Sequence, residues 1–156
     1  MPTPPSDPVP TAPGTLSWDE AVARLTAPGE RFELGSEVVD GREEVVFTGG
    51  PRTLVDIVST WAARGDAEFL VYEDERWTFA EVADAVAGLG AALAWRYGIG
   101  RGDRVAIAMR NLPEWVVTFA AVTSVGAVVV SLNGWWTADE LEFGLEDSGA
   151  RVLVAD

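Results

Sequence analysis

From position 79 onward, apolar side chains return every three or four residues at Phe79, Val82, Val86, Leu89, Leu93 and Tyr97, while Glu81 and Asp84 fall off that stripe. The spacing predicts an amphipathic helix lying on a core. A glycine-rich turn at 98–102 follows, then a strand-length apolar run at 103–109 and a helix over about 112–125, closed by Gly126 where a left-handed residue is needed. A second apolar run occupies 127–132, a helix begins after Thr137 and ends near Gly149, and a last run covers 151–155. Runs that are apolar throughout, instead of alternating, suit strands covered on both faces. Strand, helix, strand, helix, strand therefore predicts an α/β fold, a partial doubly wound parallel sheet with flanking helices. The pattern differs over 31–47, where Val38-Val39 and Val45-Val46-Phe47 flank Asp40-Gly41, and a peripheral β-hairpin is expected there.

Helix starts are legible where a hydroxyl or amide side chain can accept an orphan backbone donor while an acid three residues on reaches back. Ser17 with Glu20, Thr53 with Asp56, Thr78 with Glu81, Asn111 with Glu114 and Thr137 with Glu140 fit. Trp77 with Val82 and Trp136 with Leu141 add hydrophobic staples at two of them. Residues 1–13 hold six of the nine prolines, with no basic residue and no apolar run, which suits neither a signal nor a transit peptide. The expected organisation is a disordered Pro-rich tail at 1–15, a short helix and hairpin extension at 16–51, and a larger α/β segment at 52–156.

Composition narrows the chemistry. The 156 residues are 48% hydrophobic, enough for a globular core. Eleven basic residues stand against 25 acidic ones, a formal charge of −14, so a nucleic-acid backbone would be repelled. Every basic residue is arginine, and Lys, His and Cys are absent. Disulfides, thiol nucleophiles, the commonest zinc ligands and general base, Schiff-base chemistry and a Walker-type lysine are thereby excluded. A cytoplasmic location is the default without an export signal.

Several features have plain structural readings. Residues 115–138 carry no charge, yet Thr118, Thr123, Ser124, Gly126 and Ser131 interrupt them, and a buried helix plus a buried strand explains them without a transmembrane span. Gly98-Ile99-Gly100-Arg101-Gly102 has Asp103 where a dinucleotide loop needs glycine and precedes a strand instead of following one, so it reads as a turn. Glu73-Asp74-Glu75 reads as a solvated turn between strands around Val71 and Trp77, and no metal is assigned. The seven tryptophans are read as core filling and helix staples. Ligands of open parallel sheets bind beyond the carboxyl ends of the strands. Two strands end at Asn111 and Asn133. Asn111 is a helix cap or part of a pocket rim. Asn133, followed by Gly134-Trp135-Trp136, is a turn residue or a pocket wall. Asn111, Asn133 and Trp135 are the candidate rim.

Over 52–156 the chain resembles the amino-terminal part of the adenylate-forming, AMP-binding superfamily, in particular AMP-forming acyl-CoA synthetases of the fatty-acid type. The resemblance runs in order through Trp77-Thr78-Phe79-Ala80-Glu81, Gly100-Arg101-Gly102-Asp103-Arg104-Val105-Ala106-Ile107 and Asn111-Leu112-Pro113-Glu114. It continues through Gly126-Ala127-Val128-Val129-Val130-Ser131-Leu132-Asn133, Glu140-Leu141 and Leu145-Glu146-Asp147-Ser148-Gly149-Ala150. Ser131 stands where that family usually has proline.

The resemblance implies an enzyme that joins a carboxylic or fatty acid to coenzyme A through an acyl-adenylate, using ATP and Mg²⁺. A carboxylate approaching an anionic phosphate needs positive charge and backbone donors around the α-phosphate. The family supplies them from a Ser/Thr/Gly-rich loop ending in Pro-Lys-Gly, an acidic ribose-binding motif and a lysine of a mobile carboxyl-terminal domain, none of which this sequence contains. No catalytic, cofactor-binding or metal residue is therefore carried over. The chain is expected to be the opening part of such a synthetase, inactive and binding no cofactor alone, with the remainder of its own enzyme chain as partner; a homo-oligomer is left open. The alternative is a stand-alone, non-catalytic binding or assembly module derived from such an enzyme. The acyl substrate is not specified.

Overall fold

The computed structural model describes residues 15–156, so the tail expected at 1–15 lies, Thr15 apart, outside the described residues. Residues 15–50 and Pro51–Asp156 form two compact units.

In the first unit, α1 (Trp18–Leu25) starts at the Ser17/Glu20 capping box. Strands β1 (Leu34–Val39) and β2 (Arg42–Phe47) pair antiparallel, with Val39 opposite Arg42. Asp40 (φ 49°) and Gly41 (φ 79°) both adopt the left-handed backbone that a two-residue hairpin turn requires, as the Asp-Gly pair predicts. Phe32 and Phe47 meet edge to face at 6.0 Å.

The second unit opens with α2 (Leu54–Val58), capped by Thr53 and Asp56, and a 3₁₀ turn (Ala62–Arg64). The antiparallel hairpin of β3 (Glu68–Tyr72) and β4 (Glu75–Thr78) turns at Glu73 (φ 48°), and α3 (Phe79–Tyr97) follows. Then β5 (Arg104–Ala108), α4 (Pro113–Ser124), β6 (Val128–Ser131), α5 (Ala138–Ser148) and β7 (Val152–Ala155) alternate as the apolar runs predict. The three strands form a parallel sheet in the order β6-β5-β7. Central β5 pairs Val105 with Val129 on one side and with Val152 on the other.

Successive side chains of a strand point to opposite faces, and β5 uses both. Val105 joins Val82, Val86 and Leu93 of α3 and Val117, Ala120 and Ala121 of α4 in one cluster, with Val129, Val152 and Val154 beside it. Ala106 and Ala108 face the other way, against Leu132, Val130 and the α5 residues Leu141 and Leu145. α4 and α5 thus cover opposite faces, the doubly wound arrangement. The expected α3 stripe holds at Val82, Val86 and Leu93, but Tyr97 is corrected: it is 49% exposed, since the helix runs past the core in its last turn. Core filling describes only some of the tryptophans. Trp61 and Trp77 pack on the core, whereas Trp18, Trp95 and Trp135 are more than four-fifths exposed.

Arginines tie the amino ends of the strands. Arg151 donates from Nη1 to Asp103 Oδ2 (2.8 Å) and to the Gly98 carbonyl (3.2 Å), and Gly100 N–H donates to the same carboxylate (2.9 Å). Arg104 Nε donates to the Ser148 carbonyl (2.7 Å). The Arg151 hydrogen bond, aided by Gly100 N–H, holds the Asp103 carboxyl below its ordinary range. The glycine-rich segment at 98–102 is accordingly a turn pinned by its own aspartate.

At α3, Thr78 N–H and Oγ1 lie 2.8 and 2.9 Å from Glu81 Oε2, and Glu81 N–H donates back to Thr78 Oγ1 at 3.2 Å. Thr78→Ala should cost about 1 kcal/mol. The two Thr78 donors, its backbone N–H first, lower the Glu81 pKa from an ordinary 4.5. A lowered folded pKa contributes stability that is present above the ordinary value and lost as pH falls through the folded one. The stability gap between the parent and Thr78→Ala should therefore narrow in urea melts below about pH 4.5; a gap constant with pH would contradict the cap as the cause.

Candidate functional site

The chain leaves β5 towards one face through α4 and leaves the adjacent β6 towards the other through α5. Neighbouring connections that diverge in this way open a crevice at the carboxyl ends of their strands. A recess of about 510 Å³ lies there. Met109, Arg110 and Asn111 follow β5 into it, Leu132, Asn133, Gly134 and Trp135 follow β6, and Tyr72 of β3, Leu112 just before α4 and Trp115 of α4 complete the lining. Asn111 and the loop of Asn133 and Trp135, more than twenty residues further along the chain, share one wall system.

Asn133 is a turn residue and a wall residue at once. Its Oδ1 accepts Trp135 N–H at 3.0 Å, and its carbonyl accepts Trp136 N–H at 3.0 Å, so the side chain shapes the loop whose next residues line the recess. Trp135 projects its indole, 82% exposed, at the rim. Gly134 sits against the end of β5: a Cβ there would stand 2.9 Å from the Met109 carbonyl carbon and 3.2 Å from Arg110 N. Only glycine lets the two strand ends approach so closely.

The expected cap at Asn111 is corrected. α4 starts at Pro113, Leu112 takes the cap position, and no side chain caps that end. Proline fixes φ and lacks an N–H, which suits the first helical position and moves the frame one residue past Asn111. Leu112 N–H instead donates to the Arg110 carbonyl (2.8 Å). The Asn111 amide is consequently not consumed by capping.

Sequence reasoning missed Arg110, Tyr72 and Trp115. Arg110 Nε donates to Asp156 Oδ2 at 2.6 Å, and its backbone N–H to Oδ1 at 3.3 Å. The guanidinium hydrogen bond holds the Asp156 carboxyl below its ordinary range, and Asp156 in turn raises Arg110 further, so both stay charged near neutrality. The missed signal was positional: each residue closely follows an apolar run, and β5 and β7 are adjacent parallel strands, so these charges meet. Tyr72 and Trp115 carry no local mark of their place.

The recess thus offers two amides that donate and accept, flat aromatic faces and one guanidinium. Such groups bind and orient a ligand but include no nucleophile or general base of ordinary strength. Among the described residues no group of acidic side chains is placed to hold a metal ion, and no helix is long and apolar enough to cross a membrane.

Parallel strands wound on both faces, with a crevice where the winding reverses, define the ligand-binding class of α/β subdomains. Residues 58–156 match the family model described as AMP-binding enzyme, and the chain belongs to that family. The 3-[(3aS,4S,7aS)-7a-methyl-1,5-dioxo-octahydro-1H-inden-4-yl]propanoyl:CoA ligase of Mycobacterium tuberculosis is 44% identical over 90 residues, 58% of this chain and 18% of that protein. A long-chain-fatty-acid–CoA ligase of Escherichia coli is 35% identical over 104 residues, 66% of this chain and 18% of that protein. Among solved structures, the amino-terminal subdomain of Klebsiella oxytoca NpsA in complex with 3-hydroxyanthranilyl-AMSN superposes with a TM-score of 0.62 at 27% identity, covering 68% of this chain and 27% of that one. The chain spans less than a fifth of the length of these curated relatives.

Proposed function

We propose that the chain is the amino-terminal portion of an AMP-forming acyl-CoA synthetase. The whole enzyme activates a carboxylic or fatty acid with ATP and Mg²⁺ to an acyl-adenylate and passes the acyl group to coenzyme A in the cytoplasm. The family match over 58–156, with CoA ligases among the relatives, is the observation that carries this reading. In it, Asn111, Asn133 and Trp135 form part of a ligand-facing wall that the remainder of the enzyme closes.

The 156 residues by themselves perform no adenylation. Developing negative charge at the α-phosphate calls for converging cations and backbone donors. The recess is lined by one guanidinium, whose Nε is engaged by Asp156, and the sequence holds no lysine. Purified chain given ATP, Mg²⁺, CoA and fatty acids should release no pyrophosphate above a protein-free control; sustained release would reject the inactive portion. The ligase assignment is tested separately by reading the DNA beyond the Asp156 codon. An in-frame Ser/Thr/Gly-rich loop ending in Pro-Lys-Gly supports it, and an immediate stop codon with stable expression of the chain overturns it.

A further inference from the structure

We propose that two copies of this chain pair through the outer side of α3, antiparallel about a two-fold axis at Ala91, with Trp95 of each copy seated in a groove of the other. From Ala85 to Trp95 the helix has no charged, hydroxyl or amide side chain, yet Ala87, Gly88, Ala91 and Trp95 lie exposed. A surface helix ordinarily turns a polar face to water. α5 does so with Asp139, Glu142, Glu146 and Asp147, whereas α4, likewise apolar, exposes only Glu114. α3 is apolar and exposed at once. Its inner side, Val82, Val86 and Leu93, lies on the core. Further strands beside β6 or β7 would lengthen the sheet sideways, and the side of α3 turned away from the sheet would stay open.

This outer side is self-complementary. Ala83, Ala87, Ala91 and Trp95 stand four residues apart and form one ridge, low over three steps and raised at the last. Beside the low part lies a groove of about 380 Å³, lined by Val58 of α2, Ala62 of the 3₁₀ turn and Ala83, Ala87, Gly90 and Ala91 of α3. Trp95, 89% exposed, is the matching knob. A two-fold contact needs knob and hole on one surface, at equal distances from the axis. With the axis at Ala91, Trp95 stands opposite Ala87 of the copy, at its groove, and Ala91 meets Ala91. The small residues let the helices approach closely, and each indole that is covered removes roughly 150–250 Å² from water.

Charge selects a second copy as the occupant. Each chain carries a formal charge of −14, so copies repel wherever acids face each other. Antiparallel α3 helices avoid this: the centre is neutral, and Asp84 in the first half of one helix lies beside the last turn of the other, which carries Arg96. The symmetry repeats that opposite-charge match at both ends.

Sedimentation of the 156-residue chain should show a concentration-dependent dimer, readily reversible because one helix pair is a small interface. Trp95→Ala should weaken it by at least about tenfold. Trp18→Ala, at a tryptophan 82% exposed outside α3, should leave it unchanged. Asp84→Arg makes the chain less acidic yet sets like charges together at Arg96, so it should weaken the dimer, and adding Arg96→Asp to the same chain should restore it. The sequence has no cysteine, so Ala91→Cys supplies one thiol per chain. Air oxidation should join two chains through it, since a disulfide requires Cα atoms within about 7 Å. Circular dichroism checks that each variant is folded; should Trp95→Ala fail to fold, the charge exchange and the cysteine decide. A monomer at every concentration, a dimer insensitive to Trp95→Ala or equally weakened by Trp18→Ala, tightening by Asp84→Arg, or Ala91→Cys that does not cross-link would overturn the proposal.

Discussion

Leu93→Ala is expected to lower the stability of the second unit by about 3 kcal/mol, within the range for emptying a fully buried leucine site. Leu93 is 1% exposed and sits in the cluster that joins α3 and α4 to β5 and β7. Truncation removes its transfer free energy and leaves a void, and the residues around it cannot easily collapse inward. Val82, Ala120 and Ala121 are themselves fully buried and held by separate helices. Against a typical domain stability of about 5–15 kcal/mol, the loss is large. A urea titration followed by far-ultraviolet circular dichroism measures it as a lower midpoint. Trp95→Ala, two residues along the same helix at a position 89% exposed, should change stability by less than about 0.5 kcal/mol. Equal effects of the two substitutions would mean that the α3 face is wrongly assigned.

Gly134→Ala should cost about 2 kcal/mol and distort the recess together with it. The new methyl would meet the Met109 carbonyl carbon at 2.9 Å and the Met109 oxygen at 3.1 Å. Those are backbone atoms at the end of the central strand, so the β6 loop must give way and carries Asn133 and Trp135 with it. Exposed Trp135 reports the change: its fluorescence should shift in the folded variant, and the thermal midpoint should fall. Gly88→Ala, on α3 with open space around the added methyl, should go the other way, stabilising by roughly 1 kcal/mol through helix propensity. A Gly134→Ala protein as stable as the parent would refute the close approach of the two strand ends.

The parts legible in the letters are those governed by neighbours along the chain. The Ser17, Thr53, Thr78 and Thr137 caps form because donor, acceptor and backbone lie within one turn of each other. Asp40-Gly41 makes its hairpin for the same reason, and the unbroken apolar runs become β5, β6 and β7 because only strands covered on both faces tolerate them. Asn111 marks the limit of such reading: a cap pattern competed with Pro113 two residues on, and the fixed φ of proline set the frame.

By itself, then, the sequence determined the α/β class, the helix starts, the family blocks and the two asparagines at strand ends, all fixed by short-range geometry and hydrophobic periodicity. The tertiary structure alone decided that β7 returns beside β5 and not beside β6, since strand order depends on which faces the crossing helices bury. From that order came the meeting of Arg110 with Asp156 and the entry of Tyr72 and Trp115 into the recess. These contacts join residues dozens of positions apart, and no local pattern encodes a distance that only packing sets.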